Sequence, residues 1–411
     1  MLLPTLGFLA AAITASLAAS AAVIGINPPA LPVTAARIAG LPAATQPAWR
    51  DYLARSDRAR AADESFYADE RKTLVLAAPL VPPRGPSLPL KNTDSWYASA
   101  EALRIAANVV SFQTPAGGWN KNTDFVARSR RPGERSGYEA GYVGTIDNDA
   151  TVTELRFLAK VVTAAGPAAA AQAAFLRGLD YLFAAQFPNG GWPQVYPLLG
   201  SYHDAVTFND DAMANVLRLL RDVAGGAPPF AFVPAATRDR TAASAGRGLD
   251  CILASQVVVG GLPVVWGQQH DALTLAPAPA RNFEMPALSS SESAGLLRYL
   301  MELPTPSPAV VAAVRAAAAW FERNAQRDVA FAAAPDGSGR KLLPAPGAGP
   351  LWPRFSEIGT DRPLFGDRDK SIHDRIDAVS IERRAGYAWF GDSPKRALEL
   401  YAKWAHAHPA R

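Results

Sequence analysis

The sequence predicts an all-α domain, in which repeated helical hairpins form an α/α toroid and long loops form a groove. Three observations support this class. Apolar residues recur at three- and four-residue spacing after residue 96, few segments alternate with the period of a strand, and one helix–loop–helix pattern occurs three times. Since such hairpins cannot bury their apolar faces alone, we expect an incomplete α/α barrel with its loops on the rims.

The composition is that of a large globular chain. Of 411 residues, 49% are hydrophobic and 19% are charged. The 41 Lys and Arg nearly balance the 37 Asp and Glu, and no Lys-rich run resembles a nucleic-acid-binding surface. One cysteine, Cys251, cannot form an internal disulfide, and the five histidines lack zinc-ligand spacing. We therefore expect no nucleic-acid partner, no redox chemistry and no zinc site.

Residues 1–25 form an apolar, Ala-rich run with a cleavage motif at Ala19-Ser20-Ala21, which is typical of a secretory signal peptide. Because the run lacks a basic start, a single membrane anchor is the alternative, but so short an Ala-rich run spans a bilayer poorly. We expect a periplasmic or secreted protein that has no membrane contact after cleavage.

The rest of the chain divides into two parts. Pro and Gly interrupt residues 26–95, which we interpret as a linker with one charged surface helix, and residues 96–411 as one domain. The helices predicted in that domain cover residues 97–112, 150–164, 169–186, 210–224, 241–256, 291–303 and 308–326.

The repeated unit contains a Gly-Gly loop after a helix. Its three copies are QTPAGGW at 113–119, QFPNGGW at 186–192 and a degraded QVVVGGL at 256–262, with Trp266 four residues further on. After each loop, another helix begins with polar residues: DND at 147–149, NDD at 209–211 and SSS at 289–291. One such residue per helix can cap the free backbone N–H groups, whereas additional carboxylates repel one another unless a cation or an arginine lies between them.

Basic residues lie in loops on the same expected rim. Lys121 follows the first Gly-Gly-Trp-Asn, and Arg281 precedes the third helix start, while Arg354 and Arg368 come later in the chain. Planar guanidinium groups suit the carboxylates of a polyanion, although surface ion pairing is an alternative. Calcium together with a polyuronic acid would satisfy both the acidic and the basic residues.

Six motifs in order carry a family resemblance. They are GGWNK at 117–121, TIDN at 145–148, NGGWPQVY at 189–196, TFNDDAM at 207–213, RNFEMP at 281–286 and WPRFSEIGT at 352–360. With these motifs the chain resembles pectate lyase family 10. The resemblance implies an (α/α)₃ toroid that cleaves polygalacturonate, the backbone of pectin, by β-elimination, with Ca²⁺ as cofactor and unsaturated oligogalacturonides as products.

The resemblance also implies roles for individual residues. Arg281 would be the base, although its residue type alone fits a carboxylate clamp equally well. Asp147 and either Asp210 or Asp211 would bind calcium. Substrate contacts are expected at Lys121, Asn209, Arg354 and Arg368. We expect the protein to act as a monomer.

Three other functions are compatible with parts of the pattern. Gly-Gly-Trp loops and the Asp147-Asn-Asp149 segment also resemble triterpene cyclases, which would need an aromatic-lined apolar cavity. A glycoside hydrolase could use Glu284 and Asp210 as its carboxylate pair. A non-catalytic pectin-binding protein would bind the polymer without releasing a product.

Overall fold

The computed structural model describes residues 23–166 and 168–409. The predicted signal peptide lies outside the described residues, except for its last three. Within the described ranges, no helix is long and apolar enough to cross a membrane. The division into a linker region over 26–95 and a domain over 96–411 stays a prediction.

Each of the seven predicted helices is present, and α8 differs most from its prediction because it begins at Ala235 instead of residue 241. The helices are α1 Ala35–Ala39, α2 Gln46–Thr73, α3 Asp94–Tyr97, α4 Ala100–Ser111, α5 Val152–Ala165, α6 Ala169–Ala185, α7 Ala212–Gly225, α8 Ala235–Ser255, α9 Ser290–Met301, α10 Pro308–Arg323, α11 Ile381–Ala385 and α12 Ser393–Ala407.

Local sequence explains where several of these helices begin. The Ser99 hydroxyl accepts the backbone N–H of Ala102 at the start of α4, and Ser307 does the same for Val310 at the start of α10. Helix α7 buries apolar residues at three- and four-residue spacing, including Val216, Leu217 and Leu220. The helices pack in neighbouring pairs, α5 on α6, α7 on α8, and α9 on both α10 and α12.

The prediction of an all-α (α/α)₃ toroid is wrong, because antiparallel β-structure is a substantial part of the described fold. The strands are β1 Gly25–Ile26, β2 Gly144–Thr145, β3 Val195–Tyr196, β4 Val206–Thr207, β5 Val258–Val259, β6 Leu262–Pro263, β7 Gln269–His270, β8 Leu288–Ser289, β9 Val329–Ala333, β10 Arg340–Pro344, β11 Trp352–Pro353, β12 Phe355–Ser356, β13 Pro363–Gly366, β14 Ser371–His373 and β15 Phe390–Gly391. The largest sheet has five strands in the order β1-β14-β13-β12-β8.

The strands were missed because each covers only two to five residues, which is too short for an alternating pattern to emerge. Their aromatic residues also build a hydrophobic cluster of their own, separate from the core between the helices. This second cluster contains Phe283, Phe355, Phe365, Trp389 and Phe390. The fold therefore has a helical core and, beside it, a smaller core under the short antiparallel strands.

The same hydrogen bonds recur in each of the three repeats and fasten the repeated loops to the helices. The indole N–H of each repeat tryptophan donates to a carbonyl near the end of the helix before it, at 2.7–2.8 Å: Trp119 to Val109, Trp192 to Leu182 and Trp266 to Ile252. Each repeat glutamine bridges its own loop and the second helix after it, since its side-chain N–H donates to Gly117 and Ala174, to Gly190 and Ser244, or to Val264 and Ala313. The repeated loops thus fasten the helix ends to one another.

The acidic residues at the helix starts do not act as the caps that we predicted. No side-chain hydrogen bond caps the start of α5, α7 or α9. Instead, Asn148, Asp149, Asp210 and Asp211 adopt left-handed backbone conformations, with φ between 51° and 62°. Asn and Asp tolerate this region better than other non-glycine residues. The two DND and NDD segments therefore turn the chain sharply where the loops meet the helices.

Helix α2 docks on the helical core through Asp63, which is only 1% exposed. Its Oδ1 atom accepts the backbone N–H of Ala116 at 3.0 Å, next to the first Gly-Gly-Trp loop. Its Oδ2 atom is buried and has no partner in the described residues. Burial raises the pKa of Asp63 from 3.8 to about 7.

The substitution Asp63→Asn is expected to stabilise the protein in alkaline solution. With its pKa raised, the folded state binds more protons than the unfolded state between about pH 4 and pH 7, so stability falls as the pH rises through this window and stays lower above it. Relative to wild type, we expect the free energy of unfolding of D63N to be higher by roughly 1–4 kcal/mol at pH 8.5 and by much less at pH 5.

Denaturant titrations at the two pH values measure this difference. The exposed Asp57 on the same helix provides the matched control, D57N. An equal change in D63N at both pH values would contradict the assignment of the buried charge.

Candidate active site

Residues from the ends of several repeats converge on a pocket of about 170 Å³, here called the central pocket. Its wall is almost entirely polar. Of the predicted site residues, Lys121, Asp147, Asn209, Asp210 and Arg281 line it together. The structure thus brings five of the eight predicted residues to one place, although they are up to 160 positions apart in the sequence.

One side of the central pocket is acidic. The Lys121 ammonium group forms an ion pair with Asp147, which is 3% exposed. The Asn209 side-chain N–H lies 3.4 Å from Asp147 Oδ1 and 2.9 Å from Asp210 Oδ2, so this amide links the two carboxylates. Burial raises the pKa of Asp210, and the negative charges of Asp147 and Glu292 raise it further. The two carboxylates therefore carry more negative charge than Lys121 neutralises.

Arg281 forms the opposite side. Its Nε and Nη2 atoms donate to the two carboxylate oxygens of Glu284 at 2.9 and 2.5 Å, and its backbone N–H donates to the same group at 3.0 Å. The hydroxyl of Tyr387 also donates to Glu284, at 2.7 Å. The hydrogen bonds to Glu284 raise the pKa of Arg281, and burial opposes them only in part. In turn, burial acts to raise the pKa of Glu284, but the bonds from Arg281 outweigh it and lower that pKa.

Three predicted site residues lie outside the central pocket. Asp211 pairs with Arg298 at 3.1 Å and faces a neighbouring cavity. Arg354 is partly exposed and pairs with Glu292, which lines the neighbouring cavity. Arg368 donates to Glu382 at 2.9 Å from a largely exposed side chain. Their predicted roles stay predictions.

The glutamines that line the central pocket were not among the site residues predicted from the sequence. The side-chain carbonyl oxygens of Gln194, Gln268 and Gln269 are buried there and accept no hydrogen bond from any described residue. A signal was present, since Lys121, Gln194 and Gln268 each stand two residues after a repeat tryptophan. These oxygens are free to accept hydrogen bonds from a ligand or to coordinate a hard cation.

Two phenols complete the wall. Burial raises the pKa of both Tyr142 and Tyr202 to about 12, so both are neutral hydroxyl groups near neutral pH. The Tyr142 hydroxyl lies 3.1 Å from His203 Nε2, and the Tyr202 ring stacks on His203 with 4.0 Å between ring centroids. The Lys121 ammonium lies 4.6 Å from the Tyr142 ring centroid, where it gains cation–π stabilisation.

The N-terminal segment holds the arginine loop in place. The side-chain N–H₂ of Asn27, which follows strand β1, lies within 2.9–3.1 Å of the backbone carbonyls of Arg281, Asn282 and Glu284. Strand β1 itself pairs with β14, with Gly25 opposite Ile372. Three carbonyls converging on one side chain accept only a donor, which explains an amide at this position.

No group of three or more His, Cys, Asp or Glu side chains that could hold a metal ion occurs in the described part of the chain. A metal in the central pocket would therefore need oxygens beyond the two carboxylates. The unsatisfied glutamine carbonyls and the Asn209 amide are the available ones, and they are of the hard type that calcium prefers.

Comparisons with known proteins agree on one family. Residues 113–398 match the family described as pectic acid lyase. Among solved structures, the family 10 polysaccharide lyase from Cellvibrio cellulosa is 34% identical, with a TM-score of 0.66, over 77% of this chain and 97% of that one. A mutant of that lyase in complex with trigalacturonic acid is also 34% identical, with a TM-score of 0.65, over 77% of this chain and 99% of that one. No curated protein matches the chain.

The substitution Asn27→Asp is expected to loosen the loop of residues 280–284. A carboxylate at this position would face three carbonyl oxygens and would donate no hydrogen bond to them. We expect the amide protons of Ala280 and Glu284, which are bonded within the loop, to exchange at least tenfold faster in N27D. Hydrogen exchange with mass spectrometry measures this, with N92D at an exposed asparagine as control. Unchanged exchange in N27D would mean that Asn27 does not restrain the loop.

Proposed function

This chain belongs to the pectic acid lyase family and is a pectate lyase, and on that premise we propose that it cleaves polygalacturonate by calcium-assisted β-elimination, with Arg281 as the base. The observation that carries this proposal is the convergence of Lys121, Asp147, Asn209, Asp210 and Arg281 on one polar pocket. The related lyase from Cellvibrio cellulosa in complex with trigalacturonic acid supports the choice of substrate.

The proposed reaction begins at C5 of a galacturonate unit, whose proton is α to the C6 carboxylate. Arg281 accepts this proton, the C5–H electron pair becomes the C4–C5 double bond, and the C4–O bond breaks. The departing oxygen takes a proton from solvent, and the new chain end is an unsaturated uronide. In this scheme Lys121 pairs with a substrate carboxylate and Asn209 donates to it, while Arg354 and Arg368 make further contacts with substrate carboxylates.

Calcium is the cofactor that fits the pocket best, and we propose Asp147 and Asp210 as its carboxylate ligands. Their partly unneutralised charge and the unsatisfied glutamine carbonyls supply hard oxygen donors. When bound, the ion would act as a Lewis acid that stabilises the negative charge developing on the substrate carboxylate. Asp211 is the weaker candidate because its carboxylate pairs with Arg298.

To act as a base, Arg281 must lose a proton, but Glu284 raises the pKa of Arg281 and so favours the charged form. Glu284 holds the guanidinium group by two bonds and so fixes where it points. The positive charges of Lys121 and of a bound cation oppose the effect of Glu284 once the substrate is in place. We therefore expect a rate that rises far into alkaline solution, because the neutral base is scarce at lower pH.

One of the alternative functions agrees poorly with the pocket. A triterpene cyclase needs an apolar cavity, whereas the central pocket is lined by charged and amide side chains. A glycoside hydrolase would have to use Asp210, whose pKa is raised, as its acid, because Arg281 lowers the pKa of Glu284; unlike a lyase, it would release no unsaturated ends. A non-catalytic pectin-binding protein is separated from a lyase by the release of unsaturated product.

We propose further that the protein is exported to the periplasm or secreted, that the signal peptide predicted within residues 1–25 is cleaved after Ala21, which leaves Gly25 in strand β1, and that the protein acts as a monomer. The apolar start of the sequence and a polymeric substrate, which cannot enter a cell intact, support this location.

Substitutions at Arg281 and Glu284 distinguish two possible roles of Arg281, as the base or as a clamp that binds a substrate carboxylate. Arg281→Ala is expected to lower kcat by about 10²–10⁴-fold, measured by the ultraviolet absorbance of unsaturated ends. Glu284→Gln removes the charge that raises the pKa of Arg281, so more of the arginine is neutral at a given pH. If Arg281 is the base, the acidic limb of the pH–rate profile of E284Q moves to lower pH by about one unit.

The control is Arg362→Ala, at an exposed arginine that pairs with Glu357 and Asp374. A pH–rate limb that stays in place in E284Q, with activity retained, would assign Arg281 to the clamp role. Near wild-type product release by R281A would remove it from the mechanism.

Calcium titrations distinguish the two candidate aspartates. Chelation should abolish activity, and calcium should restore it. In D210N we expect the calcium concentration for half-maximal activity to rise about tenfold or more, because the site loses a ligand charge, and in D211N to change less than about threefold. Because the pKa of Asp210 is raised, protons compete with calcium there, and the wild-type calcium requirement should increase as the pH falls. A larger effect in D211N than in D210N would reverse the assignment, and full activity after chelation would exclude calcium.

A further inference from the structure

A groove leads away from the central pocket along the helical face. Asp210 lines both the central pocket and a cavity of about 330 Å³ that Ser291 and Ser393 also line. Asp211 and Arg298 line this cavity and also a third one, of about 640 Å³, which reaches helix α12. These cavities follow one another along the surface and share wall residues, and we call the row that they form the lateral groove.

The far end of the lateral groove is cationic. Arg218, Arg298, Arg396 and Lys403 line its largest cavity, whereas Asp211 and Glu302 are the acids there, which leaves an excess of two positive charges. Arg218 and Arg298 are already paired with those acids. Arg396 and Lys403 are exposed and form no ion pair with any residue in the described ranges.

The two unpaired cations lie on one face of α12. They are seven residues apart, which is two helical turns, so their side chains point the same way about 10 Å apart along the axis. Between them lies Leu400, which is 41% exposed, with the nearly buried Trp404 beside it. An apolar floor flanked by spaced cations suits a chain of sugar rings that carries a carboxylate on each ring.

We propose that the lateral groove binds the part of the polygalacturonate chain that extends beyond the reacting units, with Arg396 and Lys403 pairing with its carboxylates. This proposal rests on the proposed function of the central pocket and adds a preference for long chains. Contacts this far from the reacting bond are equally strong in the ground state and the transition state, so they lower KM and leave kcat unchanged.

The double variant R396A/K403A tests the lateral groove. With long polygalacturonate as substrate, we expect KM to rise about tenfold, with kcat within twofold of wild type, and the dependence of KM on salt to weaken. With trigalacturonate, which we expect to fill the central pocket without reaching α12, KM should change less than twofold. The matched control is R323A/K395A, which removes two exposed positive charges outside the groove.

Three results would overturn the proposal: an equal rise in KM in the control, an equal rise with trigalacturonate, or no change in KM for the polymer. Binding is measured separately by electrophoresis through gels that contain polygalacturonate, with R281A as the background. If wild type released no unsaturated product, the proposed function would fail. Even then, a loss of gel retardation when R396A/K403A is introduced into R281A would show that the lateral groove binds polygalacturonate.

Discussion

The hydrogen bond from a buried indole to a helix carbonyl is the constraint on which the site depends. It occurs in the three sequence repeats and once more, where Trp352 donates to Phe321 at the end of α10 at 2.8 Å. Each of these tryptophans is fully buried, so its N–H must find a partner inside the protein, and the exposed carbonyls at a helix end are the nearest ones. The tryptophan thereby fixes both the loop that carries it and the end of the helix below.

This constraint determines which residues reach the central pocket. The residues two positions after the three repeat tryptophans, Lys121, Gln194 and Gln268, line the central pocket, whereas Arg354, two positions after Trp352, pairs with Glu292 outside it. One repeated backbone arrangement therefore presents a different side chain from each repeat, a cation in the first and the last and an amide in the two between. The side chain at this position varies from repeat to repeat, whereas the anchoring tryptophan stays the same.

The sequence predicted the helices and much of the site, and its failures have physical causes. The seven helices and the convergence of Asp147, Asp210 and Arg281 follow from helical periodicity and from the repeat. The short strands did not, because pairings of two residues depend on distant partners, such as Phe355 with Ser289, and leave no local pattern. The sequence predicts one polar cap per helix start, whereas the backbone of Asp149, Asp210 and Asp211 lies in the left-handed region, which the residue type permits but does not require.

The ion pair between Arg281 and Glu284 has two opposing effects on the proposed base. A carboxylate that grips an arginine by two bonds orients it accurately but stabilises its charged form, which is the wrong form for a base. Tyr387 moderates this conflict, since its hydroxyl donates to the same carboxylate oxygen and withdraws part of its charge from the arginine. In the proposed mechanism, a bound cation would add the positive charge that favours loss of a proton from Arg281. The orientation of the arginine is present in the free protein, whereas its proposed deprotonation would need the loaded pocket.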